Sequence, residues 1–401
     1  MNIVYSNAEA ELNLAELSCI LPYSNMIVHR APLQTDTFDP SHVDEDTRPR
    51  TRCGYLVPDA FQAYNIALSE AGSSASAKAI HFAADIICSG GLDIWIRSVY
   101  TYCVKRIGLG NPRIFVYIRD AFKRLDAKSL ALPQEAFFKD ATVHAAVGET
   151  VLLLQLCAKR PNIQWPKVDD ATKAPGWLRG IASSPETRAT RTIWSSDGDS
   201  TPLYLVSNEI CKAVQDGSTE RALFWVRWSY DEDSRIRKET KGPGLTRKER
   251  LLVGSQAQRT DVGLYFVALL IEIYKELADK QLVRMHEEFT ELARLWKSGE
   301  KRMATALKKD ILALMISICC EVPRWKVPAA PPLTQDPVRL SRAVTQVPYF
   351  FQEVLEYKPL SVSDQLKPKM MQNPKKKKVK EAVVDDRMAA YEAAMDAYMN
   401  K

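Results

Sequence analysis

Histidine is scarce in this chain. There are five in 401 residues, His29, His42, His81, His144 and His286, and they stand far apart. HEEFT over 286–290 begins like a zinc-protease helix, but Thr290 occupies the place of the second imidazole, and that chemistry needs two on one helical face. No CxxC, CxxCH or GxSxG occurs, and GPGLT and GLGNP lack the length and the following lysine of a phosphate loop. The sequence therefore points to no metal ligand, no cofactor and no catalytic residue. Long hydrophobic runs are missing too. The richest, VGLYFVALLIEIYKELAD, falls short of the roughly 20 apolar residues of a bilayer span and ends in charge. It predicts a buried core helix and no membrane partner. MNIVYSNAEAELNL has no basic region ahead of an apolar stretch, so no secretory signal is expected.

Cysteine is present but unpatterned. Cys19, Cys53, Cys88, Cys103, Cys157, Cys211, Cys319 and Cys320 are scattered, most of them inside apolar helical patterns. That predicts reduced, buried thiols and not a disulfide framework.

What the chain does have is helical periodicity. Leu92, Trp95, Ile96, Val99, Cys103 and Ile107 recur at helical spacing, opposite a stripe of Asp93, Arg97, Thr101 and Lys105. The GLGNP break follows, and Pro112 suits the first turn of a next helix whose inner face is Ile114, Ile118, Phe122 and Leu125. Later seams are Met285, Phe289, Leu292 and Trp296, then Leu307, Ile311, Leu314 and Ile318. Residues 338–357 read as one helix distorted at Pro348. Asp85 and Asp93 read as solvated helix-surface acids. The expected fold is all-α, with two packed helical blocks forming a bundle or an irregular array. The expected divisions are an N-terminal segment and polar linker (1–58), a first helical block (59–158), an irregular insertion (159–203), a second helical block (204–357) and a flexible tail (358–401). Isolated Trp165, Trp177 and Trp194 are expected to pin the insertion to the body.

The stretch from NEICKA to SQAQR carries a distinctive order of residues. Trp225 and Trp228 share a helical face and read as core. Asp231, Glu232 and Asp233 follow them. Then come Arg235, Arg237, Lys238, Lys241, Arg247, Lys248, Arg250 and Arg259 around a GPG break, eight bases against Glu239 and Glu249. The first seven are expected to contact phosphate without reading sequence, from helix ends and a flexible loop. A solvated loop is the plainer alternative. Together with AADIICSGGLDIW and NPRIFVYI, this block resembles a helical protein family of large nucleocytoplasmic DNA viruses of algae and protists, over roughly residues 76–357. The resemblance implies a viral setting and a helical body. It brings no catalytic residues.

Charge is concentrated in the tail. The chain has 55 basic and 49 acidic residues, a net +6. Residues 367–380 hold seven lysines and no acid, and without them the balance is 48 to 49. PKKKKVK is similar to a monopartite nuclear import signal, with Lys375, Lys376, Lys377, Lys378 and Lys380 as the residues an import receptor would read. The same lysines suit non-specific nucleic-acid contact. Beyond them, Met388, Tyr391, Met395 and Tyr398 fall on one face of a short helix that needs a surface to fold against, its own body, a second copy or a partner groove. The expectation is a non-enzymatic scaffold or adaptor of the nucleus or a viral factory, holding nucleic acid and an unidentified protein. The alternatives are a structural or packaging component of a virion and, third, an enzyme whose site carries no known signature.

Overall fold

The computed structural model describes residues 50–160, 163–173, 176–250, 259–280, 287–298, 305–321, 333 and 337–357. The lysines at 375–380 and the face formed by Met388, Tyr391, Met395 and Tyr398 lie outside the described residues.

Helices make the whole framework, and among the described residues no strand forms. The first block contains α1 (Val57–Ser69), α2 (Ser73–Cys88), α3 (Leu92–Tyr102), α4 (Arg113–Ala131), α5 (Gln134–Lys139) and α6 (Ala141–Leu156). The insertion carries two short helices, α7 (Trp177–Ile181) and α8 (Arg188–Ile193). The second block contains α9 (Thr201–Gln215), α10 (Thr219–Thr240), α11 (Val262–Asp279), α12 (Glu287–Ser298), α13 (Thr305–Glu321), α14 (Pro337–Val344) and α15 (Val347–Glu356).

Helix α2 shows how the sequence builds the core. Its SSASAKAIHFAADIIC is rich in alanine, and small side chains let neighbouring backbones come close. Thirteen of its sixteen residues are buried, so it is surrounded and not merely amphipathic. Its neighbours are α1, α3, α6 and α15. Helix α6 starts at Asp140, whose carboxylate accepts from Thr142 N at 2.8 Å and Val143 N at 3.2 Å, a side-chain N-cap. The Thr142 hydroxyl and then Lys128 hold that carboxyl well below the usual range. Further along α6, Gly148 leaves room for α15: a Cβ there would sit 2.2 Å from Val347 Cγ2.

The α3 stripe continues past Tyr102 as a single π turn, Cys103–Ile107. The wider turn brings Cys103, Val104 and Ile107 all to the inside, against α13. It ends at Gly108, whose φ is +46°. Pro112 caps α4 from just outside, one residue earlier than its expected place in the first turn. Residues 338–357 form two helices rather than one bent one. The break falls at 345–346, and Pro348 sits in the first turn of α15, where its missing N–H is harmless.

The two blocks share one contiguous core. Helices α14 and α15, at the end of the second, pack on α2 and α6 of the first. Arg52 fastens that return by donating to Tyr357 O at 2.6 Å and Leu355 O at 3.1 Å. Helix α12 lies on α4, where Arg119 meets Glu287 at 2.6 Å and Glu291 at 3.7 Å. No described helix is long and apolar enough to cross a membrane.

Candidate functional site

The basic block after Trp228 is the first place to look for an interaction surface. Helix α10 runs through Thr240 and ends at Lys241, which takes a left-handed conformation with φ 50°. The chain then doubles back along the helix it has just left. Asp233 accepts from Leu245 N at 2.7 Å, and Gly244 is required there because a Cβ would lie on the Asp233 carboxylate. On the other side, Gly198 O accepts from Arg247 N at 2.5 Å and Lys248 N at 3.0 Å, and Leu245 O accepts from Ser200 N at 3.0 Å. Residues 242–250 are therefore laced to their surroundings. The expectation of a freely flexible loop does not describe them.

This lacing consumes arginines. Arg235 lies between Glu232 and Glu239, 2.6 Å from each. Arg237 pairs with Asp233 at 2.7 Å and donates to Thr260 O at 3.2 Å. Arg250 is the most committed. It pairs with Asp199, donates to Thr246 Oγ1 at 2.7 Å, and its guanidinium stands 4.7 Å over the Tyr265 ring. The Asp199 side chain is fully buried and that of Arg250 is 9% exposed. Asp199 also accepts from Thr246 Oγ1 at 2.5 Å and Ser195 N at 3.0 Å. Arg259 pairs with Glu249 at 2.7 Å. Of the seven residues expected to meet phosphate, Lys238, Lys241, Arg247 and Lys248 are exposed, with no ion pair among the described residues. The other three are held by carboxylates, one of them 51 residues away in sequence.

The aromatic residues of this stretch are structural. Trp225 and Trp228 are buried, and Trp177 from the insertion packs on both at 5.8 and 6.2 Å. Trp228 Nε1 donates to Thr172 O, and Trp194 Nε1 donates to Ser200 O. Trp165 packs on the same core. The NEICKA segment ties the insertion down from beneath. Glu209, almost fully buried, accepts from Ser183 N at 3.0 Å and Ser184 N at 2.8 Å and pairs with Arg221 at 2.6 Å. Asn208 accepts from Thr187 N at 3.2 Å.

A second polar concentration lies where residues 50–56 cross α2. Asp85 is fully buried, contrary to its reading as a solvated acid, and accepts from Cys53 N at 3.0 Å. His81, one turn earlier, is 3.7 Å from Glu353 of α15, and among the described residues neither ring nitrogen has a hydrogen-bond partner. Burial, then the Asp85 carboxylate, pushes the Cys53 thiol far above its ordinary range, which disfavours the thiolate. Burial likewise pushes Cys88 and Cys157 up to about 12. All the described cysteines are free thiols. Among the described residues no group of His, Cys, Asp and Glu has the geometry to hold a metal ion.

No family model matches this chain, and no curated protein or solved structure matches it either.

Proposed function

We propose that the chain is a non-enzymatic helical scaffold of a viral setting. In this reading it holds nucleic acid without sequence preference through exposed lysines and arginine, and a protein partner through its C-terminal face of Met388, Tyr391, Met395 and Tyr398. The observation that carries this is the distribution of charge. The excess positive charge sits at 367–380, while the remainder of the chain balances. In the basic block, Arg235, Arg237 and Arg250 are matched to carboxylates, while Lys238, Lys241, Arg247 and Lys248 stand exposed near one another along the chain. A folded body built to coat phosphate would itself be strongly basic. One that exports its charge to a tail and a rim uses it for contact and for address. The viral setting rests on the resemblance of residues 76–357, and localisation to nucleus or viral factory rests on the PKKKKVK segment.

The test is binding of the full chain to a fluorescent duplex across a salt series. Each phosphate contact contributes about −0.9 to the slope of log K against log salt. Replacing Lys375, Lys376, Lys377, Lys378 and Lys380 by glutamine is expected to flatten the slope by about 4.5. The Lys238/Lys241/Arg247/Lys248 quadruple glutamine variant is expected to flatten it further, with Arg235→Gln changing it little. Absence of binding at low salt, or a slope untouched by both sets, sinks the proposal. In cells, a fluorescent fusion carrying the same five tail substitutions is expected to lose nuclear accumulation.

A further inference from the structure

Three of the six large apolar side chains that stand exposed among the described residues belong to one corner of the body. They are Ile66 on α1, Leu156 on α6 and Val338 on α14. The helices that carry them, with the start of α2, enclose a groove of about 170 Å³. That is less than the roughly 300–1,000 Å³ of a small-molecule site, while an apolar cavity of about 150 Å³ holds a benzene ring. The groove therefore suits one large side chain of a docking segment. Leu152, Leu156, Leu340 and Ala343 make its apolar lining, and Glu70 and Gln155 add oxygens. Gln155 is fixed in place, accepting from Ser76 Oγ and donating to Ala67 O, each at 2.7 Å. Ile66 lies one turn from Glu70 on the same stripe of α1, so the apolar surface continues past the groove.

The chain itself supplies a matching segment. Met388, Tyr391 and Met395 share one face of the helix expected over 385–401. A tyrosine ring fills a slot of this size, and its hydroxyl finds an acceptor in Glu70 or Gln155. Charge agrees. Residues 385–401 hold four acids against two bases. Lys159, which donates to Gln155 O at 2.9 Å, and Arg342, beside Ala343, are both exposed. Reach agrees too. The described residues end at Tyr357, whose carbonyl Arg52 holds, and the Arg52 amide donates to Ser89 at the C-terminal end of α2. The groove lies at the other end of α2, by Gly72 and Ser76, about 24 Å away at 1.5 Å per residue. Thirty residues, 358–387, separate Tyr357 from Met388, and a coil of that length averages about 30 Å end to end. A tether matched to its span gives an effective concentration in the millimolar range.

We infer that residues 385–401 dock on this groove of their own body, with the Tyr391 ring in the slot and Met388 and Met395 on the flanking apolar surface. The inference rests on the reading of that segment as a docking element and gives it a resting seat. A protein partner must take the same face from the body, which lowers its apparent affinity.

In the test, Met388 of the full chain is replaced by photoreactive p-benzoylphenylalanine, leaving Tyr391 intact. The irradiated protein is sized by gel and its cross-links are mapped by mass spectrometry. The expected product has monomer mass, joins the tail to peptides carrying Ile66, Leu152–Leu156 or Leu340–Ala343, and forms in a yield independent of protein concentration. Tyr391→Ser is expected to remove most of it. So is the pair Ile66→Gln and Leu156→Gln, both at exposed positions and checked for native folding by circular dichroism. A product mapped elsewhere on the body, a product found only at dimer mass, or a yield untouched by these variants overturns the inference. Cross-links formed only to another protein in a cell extract overturn the resting seat and leave the docking reading standing. No product in either setting sinks both.

Discussion

Replacing Arg250 by alanine separates a structural role from a binding role. From the sequence, Arg250 belongs with its basic neighbours as a phosphate contact. In the folded protein it is a buried half of an ion pair with Asp199, roofing Tyr265 and holding Thr246. Removing one partner of such a pair costs about 3–5 kcal/mol, because the other charge stays buried without its mate. Asp199 would keep the Thr246 hydroxyl and the Ser195 amide, which favours the lower end, about 3 kcal/mol. For a body of about 300 residues that is a fall in Tm of about 5 °C. Arg247→Ala, three residues away and exposed, is expected to stay within about 0.5 kcal/mol of the parent. Urea denaturation followed by far-UV circular dichroism measures both. Asp199→Ala and the double variant complete a cycle whose coupling is expected to reach about 2 kcal/mol. The reasoning fails if Arg250→Ala is as stable as Arg247→Ala while nucleic-acid affinity drops.

Two further outcomes follow from close packing and from burial. Gly148→Ala gains up to about 1 kcal/mol of helix propensity but drives a methyl into Val347, an overpacking cost of about 1–3 kcal/mol; net destabilisation is expected, and Val347→Ala in the same chain is expected to relieve it, read by chemical denaturation of the four-member cycle. His144 stacks on Phe351 at 4.2 Å and bonds Phe138 O through Nε2 at 2.8 Å, and burial holds its pKa below the ordinary histidine value. The unfolded chain then binds more protons below about pH 6.5, so His144 favours the folded state above that value and the contribution is lost as pH falls. Thermal denaturation from pH 7.5 to 5 is expected to show that loss, and His144→Phe to show less of it; parallel curves would refute the assignment.

Local patterns were legible and distant pairings were not. The spacing of Leu92, Trp95, Ile96, Val99, Cys103 and Ile107 named an inner face, and all but the half-buried Ile96 are buried. Phe289, Leu292 and Trp296, and the seam from Leu307 to Ile318, are buried too, because a period of 3.6 survives whatever the partner is. Trp225 and Trp228 were core for the same reason. The π turn at Cys103 was invisible, since a stripe of apolar residues reads alike in an α-helix and in a slightly wider one. The basic block misled for a different reason. Counting charges within residues 235–259 omits Asp199, Glu232 and Asp233, which lie outside that window and take three of its arginines. Asp85 looked like a surface acid because its helix has no polar stripe to contrast with it. Nothing in its neighbourhood announces the turn at Cys53 that covers it.

The bonds from Arg52 to Tyr357 and Leu355 span 305 and 303 residues. Together with the seating of α15 on α2, they make completion of the first block depend on residues close to nine-tenths of the way along the 401-residue chain. A chain emerging N-terminus first holds the apolar sides of α2 and α6 uncovered until residues 347–357 leave the exit tunnel. High sequence separation of this kind slows folding and lengthens exposure to aggregation. Synthesis of this protein is therefore expected to lean on chaperones that shield nascent chains, and a product stopped before Val347 is expected to be insoluble even though it contains every residue of the first block.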